Sequence, residues 1–278
     1  MNNRIALYAR PYPDIGSWYD MIDEAARRGM AVLEAFTNLD LAEPDPTHAL
    51  ELRAYAAERG VRFCCLSCYC LMNPENAPEQ IARMKGFVDV AKALGSPYFH
   101  HTVVSGQTAP EELLDRWDDY FANAVSAVQQ IYDYGQSQGV KLVYEDQGYM
   151  INGVKNYGKF LEAVDRDVGV LLDTGNNYHV DEDLDDFLDT FLPRICHVHI
   201  KDVIRSDEPQ PGWYCTLNHR YFQTVPLGQG VMNHEKYIRK LEQAGYTGCY
   251  SLEYNAPDRA STLIEDTIET LTAWIEQA

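Results

Sequence analysis

No run of apolar residues in this chain approaches the ~20 that a membrane-spanning helix needs. The start, MNNRIALYAR, enters a strand-like run at once and lacks the apolar segment of an export signal. Basic charge is also scarce: 23 Lys and Arg stand against 42 Asp and Glu, a formal net charge of -19. That balance should repel nucleic acid and anionic membranes. No long Pro, Gly or Ser tract marks a linker, so residues 1–278 read as one domain. Seven cysteines, an odd number, argue against a disulfide framework. A reducing, cytoplasmic location is the expectation. The first strand runs into ARPYPDIG rather than a GxGxxG turn, against a dinucleotide-binding unit. HExxH, the zinc-protease arrangement, is absent as well.

What is present is a rhythm. Short apolar runs at Ile5–Ala9, Ala31–Phe36, Val61–Cys68, Tyr98–Val103, Val140–Asp146, Val168–Thr174, Ile195–Lys201 and Cys249–Asn255 have strand character. Segments of helical spacing lie between them, marked by Trp18, Ile22 and Ala25 in the first and by Leu113, Trp117, Phe121 and Ala124 in the fourth. Gly29, Gly60, Gly95, Gly139 and Gly245 fall where helices should stop. Interiors such as VGVLL are apolar throughout, as strands covered on both faces must be. Eight such units over 278 residues predict an α/β fold, a single (β/α)8 TIM barrel. Residues 203–233 break the rhythm and read as a long substrate-covering loop on the catalytic face.

A closed barrel gathers the C-terminal ends of its strands around one point. Glu145, Asp173, His199 and Glu253 end four successive strand candidates. Adjacent parallel strands are roughly 5 Å apart, close enough to share an ion. Three carboxylates and an imidazole suit Mn2+, Co2+ or Mg2+, with Zn2+ tolerated. His197 shares a face with His199, since side chains alternate along a strand, but lies deeper and reads as a partner of the ligands. Substrate contacts are expected from other strand ends and loops: Tyr8, Glu34, Tyr69, His101, Gln147, Asn176, Arg205 and Trp213. His100 and His101 alternate, so only one faces the site.

With these residues in place the sequence resembles the sugar isomerase/epimerase superfamily, the xylose-isomerase-like barrels. Within it the likeness is to ketose 3-epimerases and to the isomerase and dehydratase enzymes of inositol catabolism. It covers nearly the whole chain and rests on Glu145 in YED, Asp173 in LLDTG, His199 in HVHIKD, Glu253 in LEYN and the GQG at Gly228–Gly230. The resemblance implies a Mn2+-type ion on those four positions and an acid–base pair at Glu145 and Glu253. It also implies substrate contact by Arg205, six residues after His199. Two positions depart from the epimerase pattern. Asn176 stands where those enzymes usually carry a histidine, and Ile151 where a second glutamate usually follows. Related barrels often pair through their long loops, and Tyr221 and Phe222 would support such a homo-oligomer.

The chemistry expected is proton transfer beside a carbonyl, with an ion stabilising the enediolate. Return of the proton to the opposite face is epimerisation; return to the neighbouring carbon is aldose–ketose isomerisation; loss of a β-hydroxyl is dehydration. The reading is therefore a metal-dependent isomerase or epimerase on a small keto-sugar or polyol-derived substrate, with an inosose-type dehydratase or sugar carbon–oxygen lyase as the alternative. A DNA-repair endonuclease of the related barrels would need more ligands and a basic groove. A non-catalytic binding barrel remains the other rival. Cys65–Cys68, a CxxC, reads as buried thiols within a strand. The acidic run Val180–Asp189 reads as a helix entry rather than a calcium loop. No glycine-rich phosphate cradle is visible, and an unphosphorylated substrate is expected.

Overall fold

The computed structural model describes residues 3–8, 15–104, 110–253 and 262–278. Eight parallel strands close into a barrel: β1 (Ile5–Tyr8), β2 (Val32–Phe36), β3 (Arg62–Cys68), β4 (Tyr98–His101), β5 (Lys141–Glu145), β6 (Gly169–Asp173), β7 (Ile195–Ile200) and, last in the chain, β11 (Tyr250–Leu252). β1 pairs with both β2 and β11, which closes the ring. The helices α1 (Trp18–Arg27), α2 (Pro46–Glu58), α3 (Ala77–Leu94), α4 (Pro110–Asp115), α5 (Trp117–Gln138), α6 (Gly153–Val164), α7 (Leu184–Phe191), α8 (His234–Gln243) and α9 (Thr262–Gln277) complete the βα units. The expected (β/α)8 barrel is therefore present, with strand bounds within three residues of the sequence reading. Its outermost assignments at Ala9 and Asn255 lie outside the described residues.

Local chemistry explains the element ends. Ser17 caps α1 by accepting from the Asp20 amide, and Asp45 caps α2 by accepting from Thr47 and His48. α1 then turns Trp18, Met21, Ile22 and Ala25 inward, the spacing of one helix face. Gly95 and Gly139 end α3 and α5 in the left-handed conformation at φ 73° and 75°, which a β-carbon would penalise. The acidic run enters α7, where Asp183 accepts from the Asp185 amide and caps the helix. Lys236 and Lys240 of α8 then pair with Asp185 and Asp189.

The main core lies between strands and helices and includes Trp18, Phe87, Phe99, Tyr144, Tyr157 and Phe160, each essentially sealed. Each large side chain buried there contributes about 1.5–3 kcal/mol. A second cluster fills the floor of the barrel with small residues: Ala6, Val32, Cys64, Cys65, Val143, Leu171 and Cys249. The CxxC cysteines, Cys65 and Cys68, are buried free thiols on β3.

The segment 203–233 differs from expectation. It carries a three-stranded antiparallel sheet, with β8 (Asp202–Ser206) and β9 (Tyr214–Cys215) on either side of β10 (Tyr221–Val225). β9 has only two residues, and the sheet exists only because β10 returns along β8. The GQG turn is anchored beneath it. Asp202 accepts from the amides of Gly228 and Gly230 at 2.9 Å each and of Met232 at 3.2 Å. A β-carbon on Gly230 would lie 2.0 Å from Asp202 Oδ1, so only glycine fits. No helix among the described residues is long and apolar enough to cross a membrane.

Candidate metal centre

Glu145 closes β5, Asp173 closes β6, His199 is the penultimate residue of β7, and Glu253 follows β11. Each offers one ligand atom, and these atoms lie within 4.8 Å of one another. All four residues are buried. His199 Nδ1 is the hub: it lies 3.1 Å from Glu253 Oε2, 3.6 Å from Glu145 Oε2 and 3.9 Å from Asp173 Oδ2.

The imidazole is aimed from behind. Glu34 on β2, fully buried, accepts from His199 Nε2 at 2.9 Å on one oxygen and from His197 Nε2 at 2.7 Å on the other. Ser67 Oγ donates to Glu34 Oε1 at 2.5 Å and also meets His100 Nδ1 at 3.2 Å. Burial opposes the Glu34 charge, yet His199 and His197 outweigh it and hold the carboxyl well below its usual range. An ionised carboxylate only accepts. Nε2 of His199 therefore carries hydrogen, and Nδ1 is left to face the three carboxylates. The Tyr8 ring packs on the same imidazole at 5.3 Å.

Lys201 is the cation of the site. Its Nζ lies 2.6 Å from Asp173 Oδ2, 3.2 Å from Glu253 Oε2 and 3.2 Å from Asn176 Oδ1. Burial opposes that charge, but Asp173 and Glu253 hold its pKa above the ordinary lysine value. Asp173 Oδ1 accepts from the amides of Gly175 and Asn176 at 2.8 and 3.1 Å. Even so, burial pushes the Asp173 carboxyl up to about 7, with the Glu253 and Glu145 charges adding to it against Lys201. Burial lowers His199 too, but Glu34, Glu145 and Glu253 outweigh it and hold the imidazole well above its usual value.

With His199 neutral, as a metal ligand must be, and the three acids ionised, three carboxylates against one ammonium among the described residues leave two negative charges in a sealed place, which is costly without a counter-ion. One divalent cation balances them. Carboxylate oxygens with a single imidazole nitrogen form a donor set for hard to intermediate divalent ions. Nδ1 of His199 is buried without a hydrogen-bond partner, so the residues fit a bound metal.

The cleft above this cluster is lined by Tyr8, Tyr69 and Gln147 and by Phe36, Cys68, His100 and Thr102. Four other expected contacts lie elsewhere. Glu34 sits below the cluster, where its two oxygens accept from His199 and His197 and so position His199. His101 points out of the barrel: Tyr144 Oη donates to its Nε2 at 2.8 Å, and its Nδ1 donates to the Thr102 carbonyl at 3.0 Å. His100 takes the inward place, with Nε2 3.6 Å from Glu145 Oε1. Arg205 is exposed on β8 with its guanidinium 4.4 Å over the Tyr178 ring. Trp213 lies in the turn before β9. Asn176 lies beside the ligands, holding Lys201. Lys201 escaped the sequence reading, although His197, His199 and Lys201 share the two-residue period that puts them on one side of the strand.

The family profile described as "Xylose isomerase-like TIM barrel" matches residues 22–277. The inosose isomerase of Halalkalibacterium halodurans is 26% identical over 196 residues, 69% of this chain and 65% of that protein. The inosose dehydratase of Mesomycoplasma hyopneumoniae strain J is 25% identical over 169 residues, 55% of each chain. The chain thus spans a little over half to about two thirds of these relatives. A xylose isomerase-like TIM barrel protein from Mycobacterium smegmatis, solved in complex with magnesium, superposes with a TM-score of 0.73 at 19% identity, covering 99% of both chains. With the barrel and its buried acidic cluster in view, the chain belongs to the xylose isomerase-like TIM barrel family.

Proposed function

We propose that the protein is a metal-dependent isomerase or epimerase of a keto-sugar or polyol-derived substrate, with Glu145 and Glu253 as its proton-transfer pair. The observation that carries this reading is the convergence of both glutamates on His199 Nδ1, at 3.6 and 3.1 Å. A divalent ion, Mn2+ by preference, would be held by Glu145, Asp173, His199 and Glu253. When bound it would acidify the carbon beside a chelated carbonyl and stabilise the resulting enediolate.

The chain's own residues supply the rest. Glu145 and Glu253 arrive from β5 and from the end of β11, so they approach a substrate from different sides. One removes the proton and the other returns it. Lys201 favours the ionised forms of Asp173 and Glu253. Tyr8, Tyr69 and Gln147 wall the cleft and hold the sugar. Arg205 would meet the substrate only if the appended sheet brings it over the cleft.

Dehydration of an inosose-type substrate is the second reading. Asn176 favours it, because a histidine in the epimerase pattern is replaced here by an amide that binds Lys201. The relative named an inosose dehydratase supports it as well. Incubation with a panel of ketoses and inososes in deuterated water decides. Deuterium entering the carbon beside the carbonyl, without loss of water, is the expected result. A new unsaturated-carbonyl absorbance would favour dehydration. Absence of both with every metal would overturn the proposal. Glu145→Gln and Glu253→Gln should each slow exchange by about 10²–10⁴-fold.

A further inference from the structure

The barrel floor, one layer beneath the carboxylate cluster, carries a second set of metal-ligating side chains. Glu34, Cys64 and His197 each offer a ligand atom within 4.8 Å of the others, and all three are buried. Cys249, just before β11, is buried in the same cluster as Cys64. A guanidinium nitrogen of Arg62 lies 3.5 Å from the Cys249 sulfur. The neighbouring Cys64, with His197 and Arg62, brings the Cys249 thiol down to about 6 against the effect of burial, while burial pushes the Cys64 thiol up. His197 is completely buried, and its Nδ1 has no hydrogen-bond partner, an uncommon and unfavourable state for a ring nitrogen.

We propose that Cys64, Cys249, His197 and Glu34 form a second, thiolate-containing metal site that takes a borderline-soft divalent ion, Zn2+ in the first instance. One sulfur, one nitrogen and one oxygen gather within 4.8 Å, and a second sulfur lies in the same buried cluster; these are the donor types from which tetrahedral zinc sites are built. The hard ions suited to the carboxylate cluster would be poor ligands for thiolates. Binding would release the thiol protons of Cys64 and Cys249. Two thiolates and the Glu34 carboxylate exceed the charge of the ion by one, which Arg62 offsets. His197 precedes His199 by two residues, so the two sites would sit about 6–7 Å apart along β7. Their shared residue would be Glu34, whose other oxygen faces His199. The inference does not rest on the proposed sugar chemistry.

Titration of the full chain with Co2+ tests it, because a thiolate ligand produces a sulfur-to-cobalt charge-transfer band that carboxylates and imidazole cannot. The expected result is that band in the wild type, and its loss in Cys64→Ser and in Cys249→Ser. Zinc retained after dialysis should fall by one equivalent in each. Asp173→Asn should keep the band while losing the other equivalent, so a failure of the carboxylate site would be read separately. Co2+ affinity at the thiolate site should drop by more than about tenfold in the serine variants. A wild-type cobalt protein with no such band overturns the proposal, whatever the variants do. So does a band that persists in both serine variants.

Discussion

His199 gives its Nε2 hydrogen to Glu34 at 2.9 Å, and by doing so turns Nδ1 toward Glu145, Asp173 and Glu253. The hydrogen bond selects which nitrogen faces the acids. Glu34 is itself locked by His197 and Ser67, so the orientation is built into the interior of the barrel. Partners of this kind tune metal affinity nearly as strongly as the ligands do. Glu34→Gln should therefore weaken metal binding about 10–100-fold by calorimetry. Activity should recover in part at high metal concentration. Unchanged affinity would show that His199 needs no such support.

Lys201 and Asp173 form a buried ion pair at 2.6 Å. Lys201→Met would leave Asp173 and Glu253 uncompensated. Breaking such a pair from one side costs roughly 3–5 kcal/mol. Denaturant unfolding of the metal-free variant should register a loss of that order, and added Mn2+ should restore part of it. An equal loss with and without metal would mean that Lys201 serves packing alone.

The acids and His199 also predict a pH dependence. In the metal-free protein the Asp173 pKa is raised from 3.8 to about 7, chiefly by burial. Its raised value contributes stability below pH ~4 that is lost as pH climbs toward 7, because ionising it in place is unfavourable. His199, held above its ordinary 6.5, acts in the same sense at higher pH: its contribution is present below 6.5 and lost above it. Glu34 and Glu253, held low, act oppositely, and their contribution disappears only as pH falls below the ordinary glutamate range. The Asp173 and His199 contributions should thus be larger near pH 5 than near pH 8, opposed by the buried His101 and His179, which burial holds down at about 3 and about 4 and whose contribution is lost below pH 6.5. Saturating metal should remove or reverse that difference, since protons and the ion compete for the same atoms. Chemical denaturation at the two pH values, with and without metal, measures both.

Tyr144 and His101 make a separate, structural pair on the outer face of the barrel wall. Tyr144→Phe strands the His101 Nε2 lone pair in the core and should cost about 1–3 kcal/mol. Turnover under native conditions should be unaffected. A large fall in turnover with unchanged stability would return His101 to the site.

The four acidic and imidazole ligands were legible because each stands at the end of an apolar run, and barrel geometry alone brings such ends together. The glycine stops were legible because α-helix ends favour the left-handed conformation, which Gly29, Gly60, Gly95, Gly139 and Gly245 all adopt. The choice between His100 and His101 was not, since alternation says that the two differ but not which one faces inward. Lys201 lay within reach of the same period-two argument that joined His197 to His199. The sheet of β8, β9 and β10 was illegible because it breaks the βα rhythm and exists only through antiparallel pairing of β10 with β8 and β9.

Residue order and hydrophobic period determined by themselves that this chain would close eight βα units into a cylinder with three carboxylates and a histidine at its mouth. Those are local preferences, repeated until closure is the only way to cover every strand. The tertiary structure alone decided which nitrogen of His199 faces the acids, that Glu34 works from behind, that Lys201 balances Asp173, and that thiols from β3 and the approach to β11 meet on the floor. Such relations join residues as far apart in sequence as Glu34 and His199. They depend on direction and depth inside a closed barrel, which no period along the chain encodes.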